Sequence, residues 1–169
     1  MGILSGNPKD EPLHYGEVAA VWAGSLAAKS AAAFYSTMLN HAGDGDLKRV
    51  IEEGLMLARA EMAGLDEILR ENGVAIPPEP PERPHADLES IPPGARIQDP
   101  EIASMIGKDI GMGLTAHSQA MAQCIREDIA MMFGEFHTAK AKLGQTNLRL
   151  LKEKGWLVVP PLHMSHVNA

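Results

Sequence analysis

Apolar residues recur along this chain at helical three-and-four spacing in four long stretches. The first stripe is Val18, Val21, Ser25, Ala28, Ala32, Tyr35 and Leu39. The second is Leu47, Ile51, Leu55, Ala58, Met62, Leu65 and Leu69. Ile106, Ile110, Leu114, His117, Met121 and Cys124 form the third, and Ile129, Met132, Phe136, Leu143, Asn147 and Leu150 the fourth. The pattern predicts helices over about residues 13–41, 47–72, 100–124 and 127–154, with a crossover over 74–99.

Local punctuation supports most of these boundaries. Gly43-Asp44-Gly45-Asp46 separates the first two helices, with Gly43 expected in the left-handed C-terminal conformation and Asp46 as the next N-cap. Gly73 stops the second helix, and Gly155 followed by Pro160-Pro161 stops the last. Asp99-Pro100-Glu101 reads as an N-cap, a first-turn proline and an acid at the positive end of the helix dipole. Nothing comparable marks a turn near residues 124–127, so a single helix from 100 to 154 stays open on this reading.

The crossover holds Pro77, Pro78, Pro80, Pro81, Pro84, Pro92 and Pro93. At about 3 Å per residue in extended form, such a strap can return the chain along a whole helix. Two separate hairpins would each leave an apolar face wet, so the strap is expected to close one bundle. The expected fold is all-α: one four-helix-bundle domain over 1–169, built of two antiparallel hairpins joined by a long proline-rich crossover. That is the plan of ferritin-like bundles.

Composition agrees. Hydrophobic residues make up 45% of the 169, aromatics only 4%, and ten are methionine. A formal charge of −7 disfavours nucleic acid as a partner. The single cysteine excludes an internal disulfide framework. Met1-Gly2-Ile3-Leu4-Ser5-Gly6 has neither the basic segment nor the apolar core of a secretion signal, and Gly6 breaks an acylation pattern. Val18 to Leu39 carries one charge, Lys29, and is long enough to span a bilayer. A lysine near the centre costs about 3 kcal/mol there, and alanine contributes little, so no transmembrane segment is expected.

The string from Asn7 to Glu17 (Asn7-Pro8-Lys9-Asp10-Glu11-Pro12-Leu13-His14-Tyr15-Gly16-Glu17) and the ending Lys152-Glu153-Lys154-Gly155-Trp156-Leu157, with Pro160-Pro161 beyond it, resemble an uncharacterised ferritin-like family of spore-forming bacteria. The second half is more distantly similar to spore coat protein F, through Asp99-Pro100-Glu101-Ile102-Ala103 and Lys154-Gly155-Trp156. The first resemblance runs from about Asn7 to His163. It implies the turn near 124–127 and a place in the spore coat, without an established activity.

A di-iron bundle needs two Glu-x-x-His pairs on facing helices. Here Glu61 is followed by Gly64, and Glu135 by Thr138, so both pairs fail. A simpler site remains. With the strap returning the chain, Glu61, His117 and His137 fall within about two helical turns of one height. One carboxylate and two imidazoles can hold a single divalent ion such as zinc. The alternative is a hydrogen-bonded Glu61–His117 pair with His137 at the surface. His14 and Glu17 read as a surface helix-end pair. Cys124 reads as a packed thiol rather than a nucleophile. Gly107-x-x-x-Gly111 suits a close helix approach or simple tolerance, and the methionines fill the core or line an apolar cavity.

The resulting expectation is a non-enzymatic structural or assembly protein of the spore-coat kind, in the cytoplasm or the coat. It associates with itself and with other coat proteins, and needs no cofactor. The alternative is a bundle holding one metal ion or a small apolar ligand in its core.

Overall fold

The computed structural model describes residues 8–81 and 83–163. The Met1–Gly6 pattern lies outside the described residues. Four helices carry the fold: α1 (Tyr15–His41), α2 (Gly45–Glu71), α3 (Asp99–Gln123) and α4 (Glu127–Glu153). Three short 3-10 turns, Pro8–Asp10, Leu88–Ser90 and Pro93–Ala95, accompany them, and the described residues hold no strand. The chain is a four-helix bundle. α1 packs on α2 and α3 on α4, while α2–α4 and α1–α3 complete the square, leaving α2 and α3 on a diagonal.

Two apolar clusters fill the interior. One gathers Tyr35, Leu47, Ile51, Ile102, Ile106, Leu143 and neighbours from all four helices. The other, towards the opposite end, holds Val21, Leu65, Leu69, Ala120, Ile129 and Phe133. The predicted stripes are largely the buried ones, with local shifts. On α4 the buried aromatic is Phe133 rather than Met132 or Phe136, and on α3 Ala103 and Ala120 replace Leu114 and Met121. Tyr35 comes so near α2 that a side-chain carbon on Gly54 would sit 2.6 Å from its ring. Gly107 and Gly111 do not act as a pair: Gly107 faces Asn147, and nothing lies near Gly111.

The proline strap lies along α1. Trp22 Nε1 donates to the Ala75 carbonyl at 3.0 Å. Lys29 Nζ donates to that of Pro77 at 2.8 Å. Asn40 Nδ2 donates to that of Pro84 at 3.1 Å, while Asn40 Oδ1 accepts from Ala86 N. Prolines have carbonyls but no N–H, so α1 must supply the donors. The lengths match. From Trp22 to Asn40 a helix rises ~27 Å, and from Ala75 to Pro84 an extended proline-rich chain covers ~28 Å. Lys29, only 2% exposed, also pairs with Asp66 at 2.9 Å, and Ser25 Oγ donates to the same carboxylate. The charge in the alanine-rich helix therefore fastens strap to hairpin. No helix of the described residues is long and apolar enough to cross a membrane.

At the end where the strap delivers α3, two boundaries differ from expectation. The N-cap of α2 is Asp44, which accepts from Asp46 N and Leu47 N, so the helix starts earlier than Asp46 would allow. Gly43 is not left-handed; positive φ occurs at Gly73 (66°) and Gly155 (70°). Asp99 is the first residue of α3 rather than its cap, which is Gln98. Its carboxylate instead accepts from Gly43 N at 2.8 Å and Asp44 N at 3.0 Å. Lys154, at the end of α4, reaches Asp44 and Asp46 at 2.6 and 2.7 Å and holds both carboxyls below the ordinary range.

The opposite end explains the unmarked turn. α3 stops at Gln123 and α4 starts at Glu127. Between them, Ile125 N and Arg126 N both donate to Glu17 Oε1 at 2.8 Å. Glu17 Oε2 accepts from His14 N at 3.1 Å, closing a capping box on α1. His14 Nδ1 accepts from Gly16 N, which leaves the proton on Nε2 to donate to the Gln123 carbonyl at 3.0 Å. Arg126, 2% exposed, grips the Glu11 carbonyl and Asp128. The surface pair expected of His14 and Glu17 is thus corrected: Glu17 has no exposed surface at all. A Glu17→Ala variant leaves three backbone donors without their acceptor. It should lose roughly 3 kcal/mol in urea denaturation, whereas Glu17→Gln should lose about half of that.

Candidate functional site

Halfway along the bundle, each helix contributes a polar side chain to the interior. Glu61 of α2 is 5% exposed and His117 of α3 is 6% exposed. His117 Nε2 lies 3.7 Å from Glu61 Oε2, too far for a hydrogen bond. Glu61 Oε1 faces Lys140 Nζ of α4 at 3.3 Å. Above them, Tyr35 of α1 donates its hydroxyl to Asp109 Oδ2 of α3 at 2.9 Å. Burial and Asp109 both push the Tyr35 phenol well above its usual range.

Lys140 reaches this centre because Gly113 lets it pass. A side-chain carbon at Gly113 would stand 2.5 Å from Lys140 Cδ. The ammonium is the residue that sequence reasoning missed. Lys140 falls off the apolar stripe predicted for α4, and the one available signal was a glycine on α3 at matching height.

The electrostatics follow from burial. Burial raises the Glu61 carboxyl above the ordinary range, and Lys140 pulls it back. His117 is pushed down to about 4, first by burial, then by Lys140 and His137. It is therefore a neutral imidazole at neutral pH, with rings of Phe133 and Phe136 at 5.9 and 6.0 Å. Its Nδ1 has no hydrogen-bond partner, and neither does Asn147 Oδ1, further along the bundle beside Ala103 and Gly107.

Of the residues singled out from sequence, Glu61 and His117 meet as the topology required. His137, half-buried, acts on His117 only at a distance. Among the described residues no group of three or more His, Cys, Asp or Glu is arranged to hold a metal ion. Beside Glu61 stands a lysine, a cation fixed to the chain. Glu135 is exposed on α4, away from this centre. Cys124 caps α3, and burial together with Glu17 and Asp128 pushes its thiol up to about 11, the reverse of an activated nucleophile.

A crevice of about 490 Å³ opens beside the centre, between α1 and α3. Its walls are mostly alanine, and its floor includes Glu61, His117, Phe133 and Lys140. Of the methionines in the described residues, Met112 alone lines this crevice. Met121 and Met131 instead border a shallow groove across α2 and α4.

Fold and centre together define a class: an all-helical bundle with a proline strap and an internally neutralised carboxylate. The chain belongs to the family described as protein of unknown function DUF3231, whose model matches residues 1–168. It is 52% identical over 164 residues to the uncharacterized protein YvdQ of Bacillus subtilis (strain 168), covering 97% of this chain and 96% of that protein. It is also similar to a crystal structure described as a "putative spore coat protein" from Bacillus halodurans C-125. There the identity is 48% and the TM-score 0.92, over 94% of this chain and 100% of the other.

Two outcomes test this centre. Lys140→Met leaves Glu61 buried without its cation and should cost about 3–5 kcal/mol of stability. Adding Glu61→Gln should recover much of that in a double-mutant cycle. The second test is titration. Unfolded, His117 has its ordinary value of 6.5; folded, about 4. Unfolding takes up a proton between these values. The stability from neutral His117 is present above the unfolded value and is lost as pH falls through the folded one. Glu61, raised by burial, works oppositely: it favours the fold below its unfolded value, and that gain is lost as pH rises through its folded one. His117→Phe should therefore remove roughly 3 kcal/mol of acid destabilisation, read as the difference in urea stability between wild type and variant.

Proposed function

We propose that this chain is a non-enzymatic structural or assembly protein of the spore coat, built on a ferritin-like plan and associating with itself. The observation that carries the reading is the near full-length likeness, at 48% identity, to a structure described as a spore coat protein. The interior chemistry fits. Glu61 is matched by Lys140 from within the chain, and the raised Cys124 thiol is unsuited to nucleophilic work. The shallow groove bordered by Leu57, Met121, Ala130 and Met131 supplies apolar surface for contact with a second copy or another coat protein.

The second reading, a bundle holding one metal ion or a small ligand, is favoured by one observation: His117 Nδ1 is buried without a partner. The readings separate in native mass spectrometry of the untagged protein. Coat assembly expects oligomers, less than about a tenth of an equivalent of metal, and the protein in the coat fraction of spores. A chain that stays monomeric at high concentration, with unaltered spores from cells lacking it, would sink that reading. Close to one equivalent of retained ion, lost in His117→Phe, would establish the second.

A further inference from the structure

We propose that two copies of this chain exchange their C-terminal segments, residues 158–162 of each lying in the crevice between α1 and α3 of the other. The exchange rests on the self-association reading and gives it a surface. Beyond α4 the chain carries no charge over residues 155–162. Trp156 and Leu157 pack against the apolar cluster at that end of the bundle. The residues that follow, Val158-Val159-Pro160-Pro161-Leu162, are all exposed, Val158 at 90%, Val159 at 57% and Leu162 at 70%. An unbroken run of exposed apolar side chains marks a contact surface rather than a solvated tail. Pro160 and Pro161 hold the run extended and keep it out of a helix, so less chain entropy is lost when it docks.

The crevice matches this occupant in charge and polarity. Ala23, Ala27 and Ala31 of α1 line one wall, with Met112, Ala116 and Ala120 of α3 opposite. Over residues 18–40 α1 has one charge, Lys29, which is buried against Asp66. Over residues 110–123 α3 has no Asp, Glu, Lys or Arg. In a chain of net charge −7, these are flanks that a second copy can approach without stripping water from a charge. Charge in the crevice is confined to groups already engaged: Glu61 faces Lys140, and Asp109 holds the Tyr35 hydroxyl. Gln119 and Gln123, both exposed, border the crevice with amides that can donate to proline carbonyls. Trp22, Lys29 and Asn40 play that part along the strap.

Reach assigns the segment to the other copy. It leaves α4 at the end where Lys154 meets Asp44 and where α3 begins. The crevice draws on α3 from Asp109 to Gln123, ~15–36 Å from that end at 1.5 Å per residue. Residues 158–162 extend only ~16 Å, so within one chain they stop at the near edge. A second bundle lying antiparallel, related by a two-fold axis, sets each segment over the other's crevice and makes the two contacts equivalent.

Sedimentation and native mass spectrometry of the full-length protein over a dilution series read the exchange. Val158→Glu combined with Leu162→Glu should weaken self-association by about tenfold or more. Ala27→Leu combined with Ala116→Leu, which fills the crevice from exposed positions, should do the same. Both variants should keep their helix content and a cooperative melt. Mixed in equal amounts, they should form a heterodimer, because one keeps an open crevice and the other an intact segment. Oligomers indifferent to both pairs of substitutions overturn the exchange and leave the coat-assembly reading standing. Sensitivity to only one pair, or no heterodimer in the mixture, overturns the exchange as well. A wild-type chain that stays monomeric at high concentration overturns both.

Discussion

A carboxylate with no exposed surface has to find hydrogen-bond donors for both oxygens, because an unpaired buried charge costs more than the helix end it serves. Glu17 meets that demand by reaching from the first turn of α1 to the backbone of the turn between α3 and α4. The contact joins the start of the first hairpin to the bend of the second. With it in place, α3 must end where α1 begins, and the strap must return the chain along α1 for that to happen. The cross-bundle pairing of Glu61 with His117 and Lys140 depends on the same register.

The strings that carry the family likeness are the clasps of the two ends. At one end Asp99 and Lys154 converge on the turn from Gly43 to Asp46. At the other, Glu11, His14 and Glu17 converge on residues 123–126. These residues identify the family without saying what it does, since their chemistry is spent on holding helix ends together. The interior centre has a different character. A bundle core is where side chains from facing helices can surround a metal ion, and here a lysine admitted past Gly113 provides the positive charge.

The crevice belongs to the same design. α1 and α3 touch less intimately than the members of each hairpin, and their alanine faces leave room above a polar floor. Dense packing within hairpins and looser packing between them follow from where the large side chains lie. Leucine, isoleucine and phenylalanine concentrate in the two apolar clusters. Alanine and glycine concentrate on the seam between α1 and α3.

Helix content, the first hairpin and the strap were legible in the amino-acid order, because three-and-four periodicity and proline act over a few residues. Gly73 and Gly155 were legible for the same reason: each takes the left-handed φ that ends its helix. Glu61 and His117 could be placed together by counting rise along parallel helices. The turn after Gln123 could not be read from its own residues, since its determinants are Glu17 and His14, more than a hundred positions away. Nor could Lys140, whose inward course depends on the space left by a glycine on another helix. Local spacing fixes which stretches become rods. The partner of each buried charge is settled only when four rods meet, because that choice depends on distance through space and not along the chain.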